Sequence, residues 1–161
     1  MAKRVKGGQG GGPASGAAGS GYSGTPLVQK LGIRAGQRVL VLHDEAGEIL
    51  RAIGDMPDGV AVAGRAGKRA VDVIVLAAPD GRTLRSGLDA CLRVMKADGG
   101  LWVCWYKKSS GVATDLDEDR VREVGLAAGL VDVKVCAVTG VWSGLKFVVP
   151  VEARAAWGVT A

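Results

Sequence analysis

Three short apolar runs limit what this chain can fold into: Gln37-Arg-Val-Leu-Val-Leu-His43, Val71 to Leu76, and Leu101 to Tyr106. Each is closed by glycine, proline or charged residues. A strand with one wet face alternates apolar and polar residues. A nearly unbroken run is covered on both faces, as in parallel sheets. Between the second and third runs, Leu84, Leu88, Cys91, Leu92 and Met95 recur at helical spacing. Buried strands alternating with amphipathic helices define a three-layer α/β architecture with right-handed crossovers.

The remaining elements follow from local signals. Ser23 or Thr25 can cap a helix over 26–31, with Pro26 in its first turn and Gly32 as its stop. A second helix is expected over 47–53, ended by Gly54 and Pro57, and a short strand over 59–63. The third helix is expected over 81–96, with Asp98-Gly99-Gly100 ending it before the strand at 101–106. Asp117, followed by Glu118 and Asp119, starts a fourth helix that Gly129 stops. Residues 131–138 and 142–149 flank Thr139-Gly140 and read as an antiparallel hairpin. In it Asp132, Lys134 and Lys146 interrupt apolar residues, with the lysines guarding an exposed face or edge.

With 161 residues, of which 48% are hydrophobic and 23% charged, the chain suits one ordinary soluble domain. Nine of its 26 glycines precede Thr25. Residues 1–21 are therefore expected to be a disordered Gly-rich leader, 22–150 a single α/β domain and 151–161 a C-terminal tail. No apolar run approaches the ~20 residues of a membrane span, and the basic start has no apolar segment behind it. Membrane association and secretion are not expected.

Lys3, Arg4 and Lys6 supply three charges of the formal +5, so the remainder is close to neutral. Its lysines and arginines are scattered along the sequence, and there are seven aromatic residues. A nucleic-acid partner is not expected on that pattern. Cys91, Cys104 and Cys136 are unpaired in spacing and sit among apolar residues, which suggests reduced, inert thiols in a cytoplasm. His43 is the sole histidine, so neither a zinc centre nor an ordinary nucleophile–histidine–acid triad is expected. Trp105 and Trp142 read as packing residues, with a pocket or partner surface as the alternative.

The element order, together with the passage LRVMKADGGLWVCWYKK, resembles the Rossmann-like fold of S-adenosylmethionine-dependent methyltransferases. From YSGTPL at Tyr22 through TDLDEDRVRE to GLVDVKVCAVTGVWSGLKFVVP, the chain more specifically resembles a family of small, mainly actinobacterial proteins of unknown function, so that resemblance implies no activity. The methyltransferase resemblance implies a Gly-rich turn after the first strand and an acidic residue ending the second. Here the first position reads His43-Asp44-Glu45-Ala46-Gly47 and the second Ala63-Gly64-Arg65. The second-to-third strand connection is also too short for the usual helix and strand. These departures imply a reduced scaffold, expected to bind no cofactor and to be non-enzymatic or regulatory. A methyltransferase with an atypical cofactor pocket is the alternative.

Ligands of open α/β sheets bind beyond the carboxyl ends of the strands. There the sequence places His43, Asp80, Lys107, Lys108 and Ser109, a rim expected to take a small anionic ligand if it takes one. Two lysines and two serines suit phosphate or carboxylate, and the amides opening the following helices would add to the field. The plainer readings are a solvated loop at 107–111 and a strand-end histidine. A protein partner is the other expectation, with nothing in the sequence to identify it.

Overall fold

The computed structural model describes residues 24–158. The Gly-rich leader lies outside the described residues. Twelve described elements succeed one another, led by α1 (Leu27–Lys30), β1 (Arg38–Leu42), α2 (Glu48–Ile53), β2 (Ala61–Ala63) and β3 (Val71–Ala77). Then come α3 (Gly81–Leu92), β4 (Met95–Tyr106), a 3-10 turn (Lys108–Ser110) and α4 (Glu118–Ala127). The hairpin β5 (Val131–Ala137) and β6 (Trp142–Val148) and a second 3-10 turn (Val151–Ala156) complete the fold. The six strands form one sheet in the order β2-β1-β3-β4-β6-β5. The first four are parallel, and β6 is antiparallel to both β4 and β5.

The apolar runs behave as two-faced strands. Val39 and Val41 of β1 join Val73, Val75 and Trp102 beneath α2, with Ile49 and Ile53. Leu40 and Leu42 face the other way, with Ile74, Leu76 and Phe147, beneath Leu84, Leu88 and Cys91 of α3 and Val121 of α4. Each such aliphatic side chain contributes about 1.5–3 kcal/mol by leaving water. β2 and β3 are joined by residues 64–70 without a helix, and β2 is a three-residue edge.

Several boundaries differ from expectation. α1 starts after Pro26, which stands at its N-cap position, and is four residues long where 26–31 was expected. α3 ends at Leu92, and Met95 already pairs with Val71, whereas Val73 pairs with Gly100. The intervening residues bulge out of the ladder. Lys96 then reaches Asp72 at 2.7 Å, and a Cβ on Gly99 would come within 2.9 Å of the Asp72 carbonyl oxygen. Asp98-Gly99-Gly100 is thus part of a bulged strand and not a helix stop.

A second bulge lies between Asp132 and Lys134, whose partners are the adjacent Phe147 and Lys146. It turns Asp132 toward Arg122 of α4 at 3.0 Å and Lys134 toward Trp102 on the opposite face. Beyond β6, in the segment expected as a tail, Arg154 Nε donates to the Val149 carbonyl at 3.1 Å. Trp157 Nε1 donates to the Met95 carbonyl at 2.7 Å.

Candidate functional site

The chain leaves β1 toward β2 on one side and returns to β3 on the other, which puts the topological switch point at β1. β1 ends in a turn that begins at His43, with φ of 64°. A residue other than glycine in that conformation is uncommon and marks either a turn requirement or a site. Asp44 Oδ2 accepts from the Leu50 amide at 2.9 Å and Oδ1 from the Ile49 amide at 3.2 Å. Gly47, the residue preceding α2, has no side chain to do this, so Asp44 caps the helix from three residues upstream.

Between this turn, α2 and the end of β2 lies a crevice of about 580 Å³. Val41, Leu50, Val62 and Ala63 form its apolar wall, with His43, Asp44, Glu45 and Gly64 around it. That volume lies within the usual range for small-molecule sites. One of its acceptors, the Asp44 carboxylate, is already committed to α2.

At the end of β3, Asp80 caps α3 by accepting from the Thr83 amide at 2.8 Å, which holds its carboxyl below the usual aspartate value. Asp115 Oδ1 accepts from the Gly81 amide at 2.8 Å, and Thr114 Oγ1 donates to the Pro79 carbonyl at 2.8 Å. The loop after β4 is thereby laid over the start of α3. The amides of Ile49, Leu50, Gly81 and Thr83 are consequently paired with the protein's own carboxylates. The expectation that they stand open to an anion is corrected: at the starts of α2 and α3 the carboxylates of Asp44, Asp80 and Asp115 occupy these amides.

At the end of β4, Lys107 leads into the 3-10 turn, and Ser110 Oγ donates to the Lys107 carbonyl at 2.6 Å. Tyr106 stacks on Trp142 with ring centroids 4.2 Å apart, and Trp142 Nε1 donates to Glu48 Oε1 of α2 at 3.4 Å. Trp105 and Trp142 are buried in the two cores. Of the five rim residues singled out from sequence, His43 lines the crevice. Asp80, Lys107, Lys108 and Ser109 follow the ends of β3 and β4.

The crevice residues that sequence reasoning did not assign to a site are Val41, Leu50, Val62, Ala63 and Gly64. Their signal was faint, an apolar residue on the outer side of a short helix and a short strand bordered by glycine. Burial pushes the Cys91 thiol up to about 12 and raises Cys104 and Cys136 as well, so these thiols are poor nucleophiles. Among the described residues, no group of three or more His, Cys, Asp or Glu is arranged to hold a metal ion, and no helix is long and apolar enough to cross a membrane.

The architecture matches solved structures. Over 76% of this chain and 81% of the other, it superposes on the DhpI–SAH complex with a TM-score of 0.51 at 12% identity. The fold is the Rossmann-like fold of the methyltransferases. More distant likenesses are a methyltransferase candidate from Thermoplasma acidophilum and TrmN from Thermus thermophilus. The first has a TM-score of 0.48 at 10% identity, covering 79% of this chain and 75% of the other. The second has a TM-score of 0.46 at 15% identity, covering 77% and 47%. No protein-family pattern matches the sequence, and no curated protein does.

Proposed function

We propose that this protein binds the nucleoside part of an S-adenosylmethionine-type ligand in the β1–β2 crevice and acts as a binding or regulatory protein on a methyltransferase scaffold. The observation that carries this reading is the crevice itself. An apolar wall of Val41, Leu50, Val62 and Ala63 suits a flat base. Glu45, exposed at the rim, supplies a carboxylate that can accept both hydroxyls of a ribose. The acidic group that the scaffold's second strand lacks at Ala63-Gly64 would thus come from the first turn. The DhpI structure was solved with SAH on a fold of this kind, which supports the ligand class.

The amino-acid end of such a ligand needs a small backbone turn to approach. Here that turn carries His43, Asp44 and Glu45, and Asp44 already occupies the start of α2. Binding is therefore expected to rest on the nucleoside. Calorimetry with adenosine, S-adenosylmethionine and S-adenosylhomocysteine should give dissociation constants within about tenfold of one another, a spread of ~1.4 kcal/mol. Glu45→Ala should weaken all three. Absence of binding by all three overturns the reading. S-adenosylmethionine bound far more tightly than adenosine would favour the second reading, a methyltransferase with an atypical pocket. A phosphate-dependent melting shift lost in Lys107→Ala/Lys108→Ala would instead favour the anionic rim of His43, Asp80, Lys107, Lys108 and Ser109.

A further inference from the structure

The hairpin places Lys134 directly opposite Lys146, and like charges in that position repel. Both side chains end over the same indole, with Nζ 5.8 Å and 6.0 Å from the Trp102 ring centroid. Trp102 is fully buried, and its Nε1 donates to the Leu31 carbonyl at 3.1 Å, so the ring is fixed. The Lys146 stem crosses Gly100, where a Cβ would lie 2.9 Å from Cε. Its Nζ is 3.8 Å from where a Cβ of Gly32 would be. Two residues without side chains thus make room for a half-buried amine, while Lys134 across the ladder is exposed.

No carboxylate offsets this pair. The ion pairs among the described residues join Lys96 to Asp72 and Arg122 to Glu118, Asp119 and Asp132. None involves Lys134 or Lys146, and neither lysine hydrogen-bonds to another described residue. Asp132, the neighbouring carboxylate on β5, is turned to the opposite face by the bulge. The indole face favours a cation, but one ring serves two amines at the far limit of that attraction. Burial, then Lys134, then Arg34 lower the Lys146 pKa, and each of these favours the neutral amine.

We propose that Lys146 is a modification site, a nucleophilic amine that takes an acyl group from acyl phosphates. Desolvation and a neighbouring cation are two ways in which a lysine becomes nucleophilic, and Lys146 has both. The Nζ lone pair attacks the acyl carbon and a C–N bond forms. The bond from that carbon to the phosphate oxygen breaks, and the phosphate leaves with the bonding pair and takes up the amine proton. Nothing is oxidised or reduced. An acyl phosphate suits the site better than an uncharged donor, because Lys134 on the same face pairs with the phosphate and with the charge it gains on leaving. The product amide carries no charge, so the cross-strand repulsion ends and the half-buried place over the indole is relieved of an ion. This inference does not rest on the crevice.

The test is peptide mass spectrometry of the full chain after timed incubation with acetyl phosphate over a pH series, reading acetylation lysine by lysine. Lys68, exposed in the connection between β2 and β3, is the reference. At neutral pH Lys146 should react about threefold faster than Lys68, the order of enrichment in neutral amine that a cross-strand like-charge pair supplies. Its rate should also level off at a lower pH. Lys134→Gln should remove most of that advantage, and Lys134→Arg, which keeps the charge, should retain it. In urea the two lysines should react alike, because the fold creates the difference. The native chain decides by itself if Lys134→Gln does not fold. Lys146 reacting no faster than Lys68 overturns the proposal, as does an advantage that survives urea or Lys134→Gln. An equal preference for Lys146 with an uncharged acetyl thioester overturns the choice of donor.

Discussion

His43 carries a Cβ through a left-handed backbone, a conformation that costs an L-residue about 1–2 kcal/mol. His43→Gly should therefore unfold at higher urea than His43→Ala, by about 1 kcal/mol. Equal midpoints would mean that the turn stores no strain. Gly125 presents the opposite case. A Cβ there would lie 2.1 Å from Phe147 Cε1, inside the core between α4 and β6. Gly125→Ala should cost roughly 1–3 kcal/mol in chemical denaturation, although alanine is the better helix former. An unchanged or raised stability would show that Phe147 has room to shift. In the sequence both residues were visible as types, a histidine ending a strand and a glycine inside a helix. The φ angle and the close approach were not, because each depends on what packs alongside.

At the scale of elements, α2 is six residues long and its start is held by a side chain outside it. Asp44→Ala should destabilise the protein by about 1 kcal/mol, and Asp44→Asn should restore only part of that, because its single amide oxygen replaces one of the two acceptors. Thermal or urea unfolding of the pair checks this; equal losses would mean that the carboxylate charge, and not the cap, matters. Strand existence was legible for β1, β3 and β4 because uninterrupted apolar runs have few other uses. Strand detail was not. Lys96 to Gly99 reads as the end of a helix, yet the Lys96–Asp72 ion pair and the fit of Met95 beside Val71 draw it into β4 as a bulge. In β5, strict alternation would put Asp132 and Lys134 on one face. One extra residue separates them, with Arg122 fixing Asp132 on the side of α4.

For the molecule as a whole, three carboxylates tie segments together and titrate below their usual value. Burial alone would raise Asp72, but the Arg38 amide and Lys96 outweigh it. The Thr83 amide lowers Asp80, and Arg122 lowers Asp132. A depressed folded pKa contributes stability above the unfolded value of ~3.9, and that contribution is lost as pH falls through the folded value. The melting temperature should hold between about pH 7 and 5 and drop below about pH 4. Asp72→Asn should flatten part of that drop; an identical acid profile in the variant would remove Asp72 from the account. The three layers and the crossover from parallel strands to an antiparallel hairpin could be read from the chain alone, because hydrophobic periodicity reports how many faces of an element leave water. So could the missing glycine turn, since residue identity is local. The crevice between Glu45 and Val62, the pairing of the α2 and α3 starts with the protein's own carboxylates, and the placing of Lys134 and Lys146 over Trp102 were decided by the tertiary structure. Each joins residues far apart in the chain, and only strand register and bulges determine which of them share a face.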